Sequence, residues 1–195
     1  GAEHICGIPG TLGGLVCMNG GSQRKGIGSA LEEVVSVDPT GTIVHRNREA
    51  CGFAYRTSVF QTNSEIIATA RMRFTPGDQR AIRREMLEIL GSRRRKFPQK
   101  LPNCGSVFKS NPAMYAEVGP PGAVIERLGF KGYRLGDALV SPHHANFIVN
   151  AGEAKAEDVL KLIAEIRTRV IEETGYTMDA EALFVTPEGA VIPTD

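Results

Sequence analysis

Between Leu101 and Pro112 the run LPNCGSVFKSNP sets a thiol, a hydroxyl, an ammonium and two amides close together. Proline lacks an N–H and restricts the residue before it, so Pro102 and Pro112 argue against a helix through the stretch. Gly105 adds a point where the backbone can take unusual angles. The expectation is a loop or strand end, the usual carrier of functional groups, with Cys104 as a candidate nucleophile. The competing reading is a turn around a buried apolar pair, Val107 and Phe108.

Two earlier stretches also bear on chemistry. Residues 4–21, HICGIPGTLGGLVCMNGG, hold six glycines and a proline with apolar residues between them. Glycine lets backbone approach a ligand closely, and successive N–H groups in such turns form a concavity suited to phosphate oxygens. The spacing matches neither the P-loop nor the Rossmann fingerprint, and the alternative is a tightly packed turn leading into a helix. Residues 51–60, CGFAYRTSVF, set Tyr55 beside Arg56 between Phe53 and Phe60. They offer a phenol and a fixed positive fork to an anionic ligand. The alternative there is a surface arginine next to a partly buried tyrosine.

A chain of 195 residues fits one large domain or two small ones. Its 42% hydrophobic and 23% charged residues are ordinary for a soluble globular protein. The net charge of +1 excludes a strong global field, so anion binding must come from local clusters. Residues 71–100 are one such cluster, with ten Lys or Arg against three acidic residues. No stacking aromatics are interleaved, so a solvated helix face or a local site for a phosphorylated small molecule is expected, and no nucleic acid. No apolar run has the length of a membrane span and no signal peptide opens the sequence, which leads to the expectation of a cytoplasmic protein without a membrane partner. Cys6, Cys17, Cys51 and Cys104 are spaced too widely for a zinc site or a dense disulfide framework, so reduced thiols and no metal are expected. The sequence starts at Gly1 without a methionine, which reads as a processed start or part of a longer protein.

The elements that must position these groups follow from pattern. Residues 32–46 read as a hairpin turning at Asp38-Pro39-Thr40-Gly41, and 65–74 as a strand with Ile66, Ala68, Ala70, Met72 and Phe74 on its apolar face. Asp78 is placed to cap a helix over 79–95 with a stripe of Ile82, Met86, Ile89 and Leu90. Further on come a short helix over 123–128 closed by Gly129, a buried strand over 146–150, and a helix from Lys155 to Thr174 ended by Gly175. Val159, Ile163, Ile166 and Val170 line that helix, and a final hairpin turns at 186–189. The order predicts an α+β protein with a boundary near 96–102.

Taken in order, GIPGTLGGLVCMNGG, FAYRTSVF, LPNCGSVFKSNP, GYRLGDALVSPHHANFIVNAGEAKAEDV and EALFV resemble the UDP-N-acetylenolpyruvoylglucosamine reductases of the MurB type, over nearly the whole chain. The resemblance implies a flavoenzyme of bacterial cell-wall synthesis. Its FAD passes hydride from NADPH to the enolpyruvyl ether of a UDP-sugar, giving UDP-N-acetylmuramate. It implies a FAD-binding type-2-like second half at 1–98 and an α/β substrate-binding domain at 99–195 whose last strands return to the flavin-binding region. The short interval from Phe60 to Lys96 resembles the family's shorter subclass, and about a hundred further N-terminal residues, one small domain, are expected in relatives.

By the same resemblance Arg56 matches the arginine that holds and polarises the substrate carboxylate. Ser106 matches the proton donor, and Glu181 the glutamate that supports it. Such chemistry asks for a cation where negative charge develops and for an oriented acid, because a serine in water is a poor one. Lys109 and Asn111 are candidates for that network, and Tyr55 and Lys96 for substrate contacts. Ile8, Pro9, Gly10, Thr11, Gly13, Gly14 and Asn19 match the part lying against the FAD pyrophosphate. In this setting Cys104 becomes a packing neighbour. The alternative functions are a flavin-free UDP-sugar or nucleotide-binding module and an RNA-binding protein using the basic stretch; retention of Arg56, Ser106 and Glu181 together favours the enzyme.

Overall fold

A computed structural model describes Gly1–Thr194 and has an α+β architecture. Its contacts divide into two units, Gly1–Arg93 and Arg94–Asp195. In the first, the Gly-rich segment turns into a short helix, α1 (Leu12–Cys17). A tight hairpin follows, β1 (Gly21–Ser22) with β2 (Lys25–Gly26). Gly21 is required there, since a Cβ would lie 1.9 Å from the Lys25 carbonyl oxygen.

Three longer strands, β3 (Leu31–Val37), β4 (Ile43–Asn47) and β5 (Ile66–Met72), form an antiparallel sheet in the order β4-β3-β5. Asp38 builds the β3–β4 turn by accepting from the amides of Thr40 and Thr42, both at 2.9 Å. The Thr40 hydroxyl first, then the Thr42 amide, hold the Asp38 carboxyl below its ordinary range. In β5 the sequence pattern fails. Register shifts leave Glu32 and Ala68 unopposed, so Ile67 packs inward with Ala70 and Met72 while Ile66 is 74% exposed. One extra residue in a strand exchanges its two faces. The core beneath gathers Val16, Ile27, Leu31, Val34, Cys51 and Phe60.

Asp78 caps α2 (Gln79–Lys96) by accepting from the Ala81 amide at 2.7 Å. Ile89 is buried, but Met86, expected on the same stripe, is exposed.

The second unit carries α3 (Pro112–Glu117), α4 (Pro121–Arg127), β6 (Arg134–Leu135), β7 (Ala138–Val140), β8 (Ile148–Asn150), α5 (Ala156–Thr174), β9 (Leu183–Val185) and β10 (Val191–Pro193). Strands β6-β7-β8 form one antiparallel sheet and β9-β10 a separate hairpin. Gly129 and Gly175, at φ of +83° and +73°, follow the ends of α4 and α5, as their positions in the sequence suggested. The inner face of α5, Leu162, Ile163, Ile166 and Val170, joins Val107, Phe108, Met114, Val124 and Ile125 in one core. Among the described residues no helix is long and apolar enough to cross a membrane.

Candidate active site

Arg56 lies in the first unit at the tip of a four-residue turn in which Ala54 and Thr57 exchange backbone hydrogen bonds at 3.1 and 3.2 Å. Its φ is +54°, in the left-handed region that non-glycine residues seldom occupy. Side chains hold the turn in place. Asn19 donates from Nδ2 to the Ala54 carbonyl at 2.8 Å and accepts on Oδ1 from the Gly28 amide at 2.9 Å. Gln61 donates to the carbonyls of Arg56 and Cys17, and the Ser58 hydroxyl donates to the same Cys17 carbonyl at 2.6 Å. The Gly-rich stretch and the arginine turn are thus tied together through Asn19 and the end of α1. Beside the arginine, Tyr55 is exposed, with the guanidinium 5.9 Å from its ring centroid.

In the Gly-rich stretch Pro9, Gly10, Thr11 and Gly14 are exposed, and Ile8, Gly13 and Asn19 half-buried. Thr11 caps α1, its hydroxyl oxygen accepting from the Gly14 amide at 3.1 Å. A Cβ at Gly10 or Gly13 would meet no atom within 4 Å, so both present bare backbone. Asn19 differs from these neighbours because both ends of its amide are committed to the protein's own backbone.

Ser106 lies in the second unit, just before a segment held from both sides. On one side the Glu181 amide donates to the Val107 carbonyl at 2.6 Å, Phe108 bridges Ala180, and the Lys109 amide donates to the Asp179 carbonyl at 2.9 Å. This pairing brings Glu181 alongside the segment that begins at Ser106. On the other side Asn146 takes the place of a strand. Its carbonyl accepts from the Val107 amide, its Oδ1 accepts from the Phe108 amide and its Nδ2 donates to the Phe108 carbonyl, all at 2.9 Å.

Upstream, Asn103 accepts from the Gly105 amide at 3.0 Å and donates to the carbonyls of Pro98 and Leu101, while Gly105 turns at φ +88°. Val107 and Phe108 are 1% and 2% exposed. The two readings of this stretch therefore coexist, a buried apolar pair carrying polar residues at its edge. Cys104 is exposed as a residue, while burial is the main cause that pushes the pKa of its thiol up.

Asn111 caps α3, its Oδ1 accepting from the amides of Ala113 and Met114 at 3.0 and 3.3 Å. Lys109 is exposed, and Lys96 is exposed at the end of α2. Asn146 and His144 carry structure that sequence reasoning missed, although the run containing them was singled out. The His144 ring lies 5.5 Å from that of Phe97 and 5.2 Å from that of Phe147. Burial is the main cause that pushes its pKa down, against the opposing pull of a backbone hydrogen bond and Glu126. Among the described residues no group of His, Cys, Asp and Glu could hold a metal ion.

The second unit belongs to a recognised domain class. Residues 97–185 match the model of the UDP-N-acetylenolpyruvoylglucosamine reductase C-terminal domain. UDP-N-acetylenolpyruvoylglucosamine reductase 1 of Corynebacterium glutamicum is 46% identical over 193 residues, spanning 99% of this chain and 58% of that protein. The reductase of Heliobacterium modesticaldum is 39% identical over 98% of this chain and 60% of its own length. The crystal structure of the reductase from Thermus caldophilus matches with a TM-score of 0.78 at 32% identity, covering 99% of this chain and 64% of that one. The chain belongs to the UDP-N-acetylenolpyruvoylglucosamine reductase family and spans a little under two thirds of the length of these relatives.

Proposed function

We propose that this chain carries the substrate-reducing residues of an FAD- and NADPH-dependent reductase of UDP-N-acetylglucosamine enolpyruvate, which makes UDP-N-acetylmuramate for peptidoglycan. The observation that supports this reading most is the pairing of the 107–109 backbone with 179–181, which sets Glu181 beside the segment that Ser106 opens. When bound, FAD supplies the hydride, drawn from NADPH. The bare backbone of Gly10 and Gly13 fits close approach by a pyrophosphate, and with Ile8, Pro9, Thr11 and Gly14 would hold it. Asn19 acts from behind, fixing the turn that presents Arg56.

Reduction of the enolpyruvyl double bond places hydride on one carbon and leaves negative charge, delocalised toward the carboxylate, on its neighbour. The Arg56 guanidinium binds that carboxylate and lowers the energy of the charge as it grows. Ser106 gives its hydroxyl proton to the charged carbon, and Glu181 supports the serine in that role. Lys109, Asn111, Tyr55 and Lys96 are proposed substrate contacts. In this scheme 1–98 is the flavin side and 99–195 the substrate side.

The test is Ser106→Ala, followed by rapid mixing of the purified protein. Substrate reduction should slow by about a hundredfold or more, while flavin reduction by NADPH stays near the wild-type rate. Equal losses in both half-reactions would remove the proton-donor role. Visible absorbance tests the cofactor directly, since a protein that takes up no added FAD contradicts the flavin part of the reading.

A further inference from the structure

Asn146 is 6% exposed, and both ends of its side-chain amide are bonded to the backbone of one residue. Its Oδ1 accepts from the Phe108 amide and its Nδ2 donates to the Phe108 carbonyl, both at 2.9 Å. A neighbouring strand would ordinarily supply that donor and acceptor, but β8 begins only at Ile148. Two residues before Phe108 stands Ser106, and the opposite edge of the same segment is held by 179–181.

We infer that Asn146 is a positioning residue for Ser106. By completing the hydrogen bonds of Phe108 it fixes the backbone that aims the serine, and it touches no substrate. The inference rests on the proposed role of Ser106. Val107 and Phe108 anchor the segment in the core, but apolar packing alone is non-directional and tolerates small rotations. The paired amide removes that freedom, and only a side chain with one acceptor and one donor in a plane can do so. Asparagine meets this requirement, leucine fills the space without the bonds, and aspartate keeps only the acceptor.

The decisive variant is Asn146→Asp. As a carboxylate it still accepts from the Phe108 amide but sets a second negative oxygen against the Phe108 carbonyl. Once protonated, it regains a donor of nearly the shape of the asparagine. Burial and the facing carbonyl favour the protonated form against the pull of the Phe108 N–H, and its share grows as pH falls. At about pH 8 substrate reduction should be at least about tenfold slower than in the wild-type protein, and should recover relative to it as pH falls toward about 6. Flavin reduction by NADPH should hold its wild-type rate throughout.

A purely structural role would move both half-reactions together with the folded fraction at every pH, and an equal loss in the two would overturn the inference. Ser106→Ala run alongside separates the two claims. If that variant reduces substrate normally, the Ser106 reading fails. If it is slow while Asn146→Asp matches wild type at every pH, the Asn146 inference fails alone. Should Asn146→Asp not fold, the wild-type protein decides by NMR hydrogen exchange. A Phe108 amide as slow as those of α5 supports the inference, and one exchanging at the rate of the exposed 103–105 loop overturns it.

Discussion

Among the described residues, Asn19, Gln23, Arg24, Arg56 and Ser64 are the non-glycine residues at positive φ, and all lie in the first unit. In the second unit the corresponding positions, Gly105, Gly119, Gly129, Gly132, Gly136, Gly175 and Gly189, are all glycine. A side chain held in the left-handed region costs on the order of 1–3 kcal/mol and persists only where its surroundings over-determine it. The first unit meets that condition around Arg56 with side-chain clamps, Asn19, Ser58 and Gln61. The second unit avoids the strain and holds the segment that follows Ser106 by backbone pairing and a buried amide. Two groups proposed to act on one substrate are thus held in place by opposite means, one by strain and clamps, the other by relaxed, core-anchored pairing.

The largest effect should come from the core beneath Ser106. Phe108→Ala removes a fully buried ring and should destabilise the second unit by about 3–5 kcal/mol, read as lost amide protection across α5 and β7. Protection in β3 of the first unit should remain; an equal loss there would mean that the two cores do not open independently. A smaller effect is expected from Asn19→Ala, which leaves the Ala54 carbonyl and the Gly28 amide without their partner. It should cost the first unit about 1–3 kcal/mol and raise the KM for the substrate more than it lowers kcat. A variant with wild-type KM would show that the clamp serves folding alone. The smallest change is at the β1–β2 turn, where Gln23 and Arg24 sit at φ of +55° and +62°. Replacing the pair by Asn-Gly, the preferred residues for such a turn, should stabilise the first unit by about 1 kcal/mol. No gain in a chemical melt would mean that contacts of the native side chains already offset the strain.

Much of the scaffold was legible in the sequence because local chemistry dictates it. Asp38 and Gly41 make their turn, Asp78 caps α2, and Gly129 and Gly175 close their helices whatever lies nearby. The faces of β5 were not legible, because the pairing irregularity at Ala68 lies in how β3 and β5 align, which alternation along β5 does not record. Met86 failed for a related reason, since helical periodicity gives a direction but not how much of that face finds something to pack against. At the candidate site the residue types of Ser106 and Glu181 could be read, and the backbone pairing that sets Glu181 against Val107 could not. A pairing between 107–109 and 179–181 is a long-range choice that leaves no periodic mark. Asn146 was hidden differently. Inside an apolar run it reads as an edge of a strand, and only three dimensions reveal that its amide stands in for one.

That borrowed pairing also sets an order in time. The segment around Ser106 emerges from the ribosome well before Asn146, and long before Asp179–Glu181, at about 5–20 residues per second. Until those residues arrive, Val107, Phe108 and Lys109 lack the bonds that define them. A nascent chain therefore carries this serine on an undefined loop, and the pairing that holds the following segment forms only once residues 179–181 have emerged.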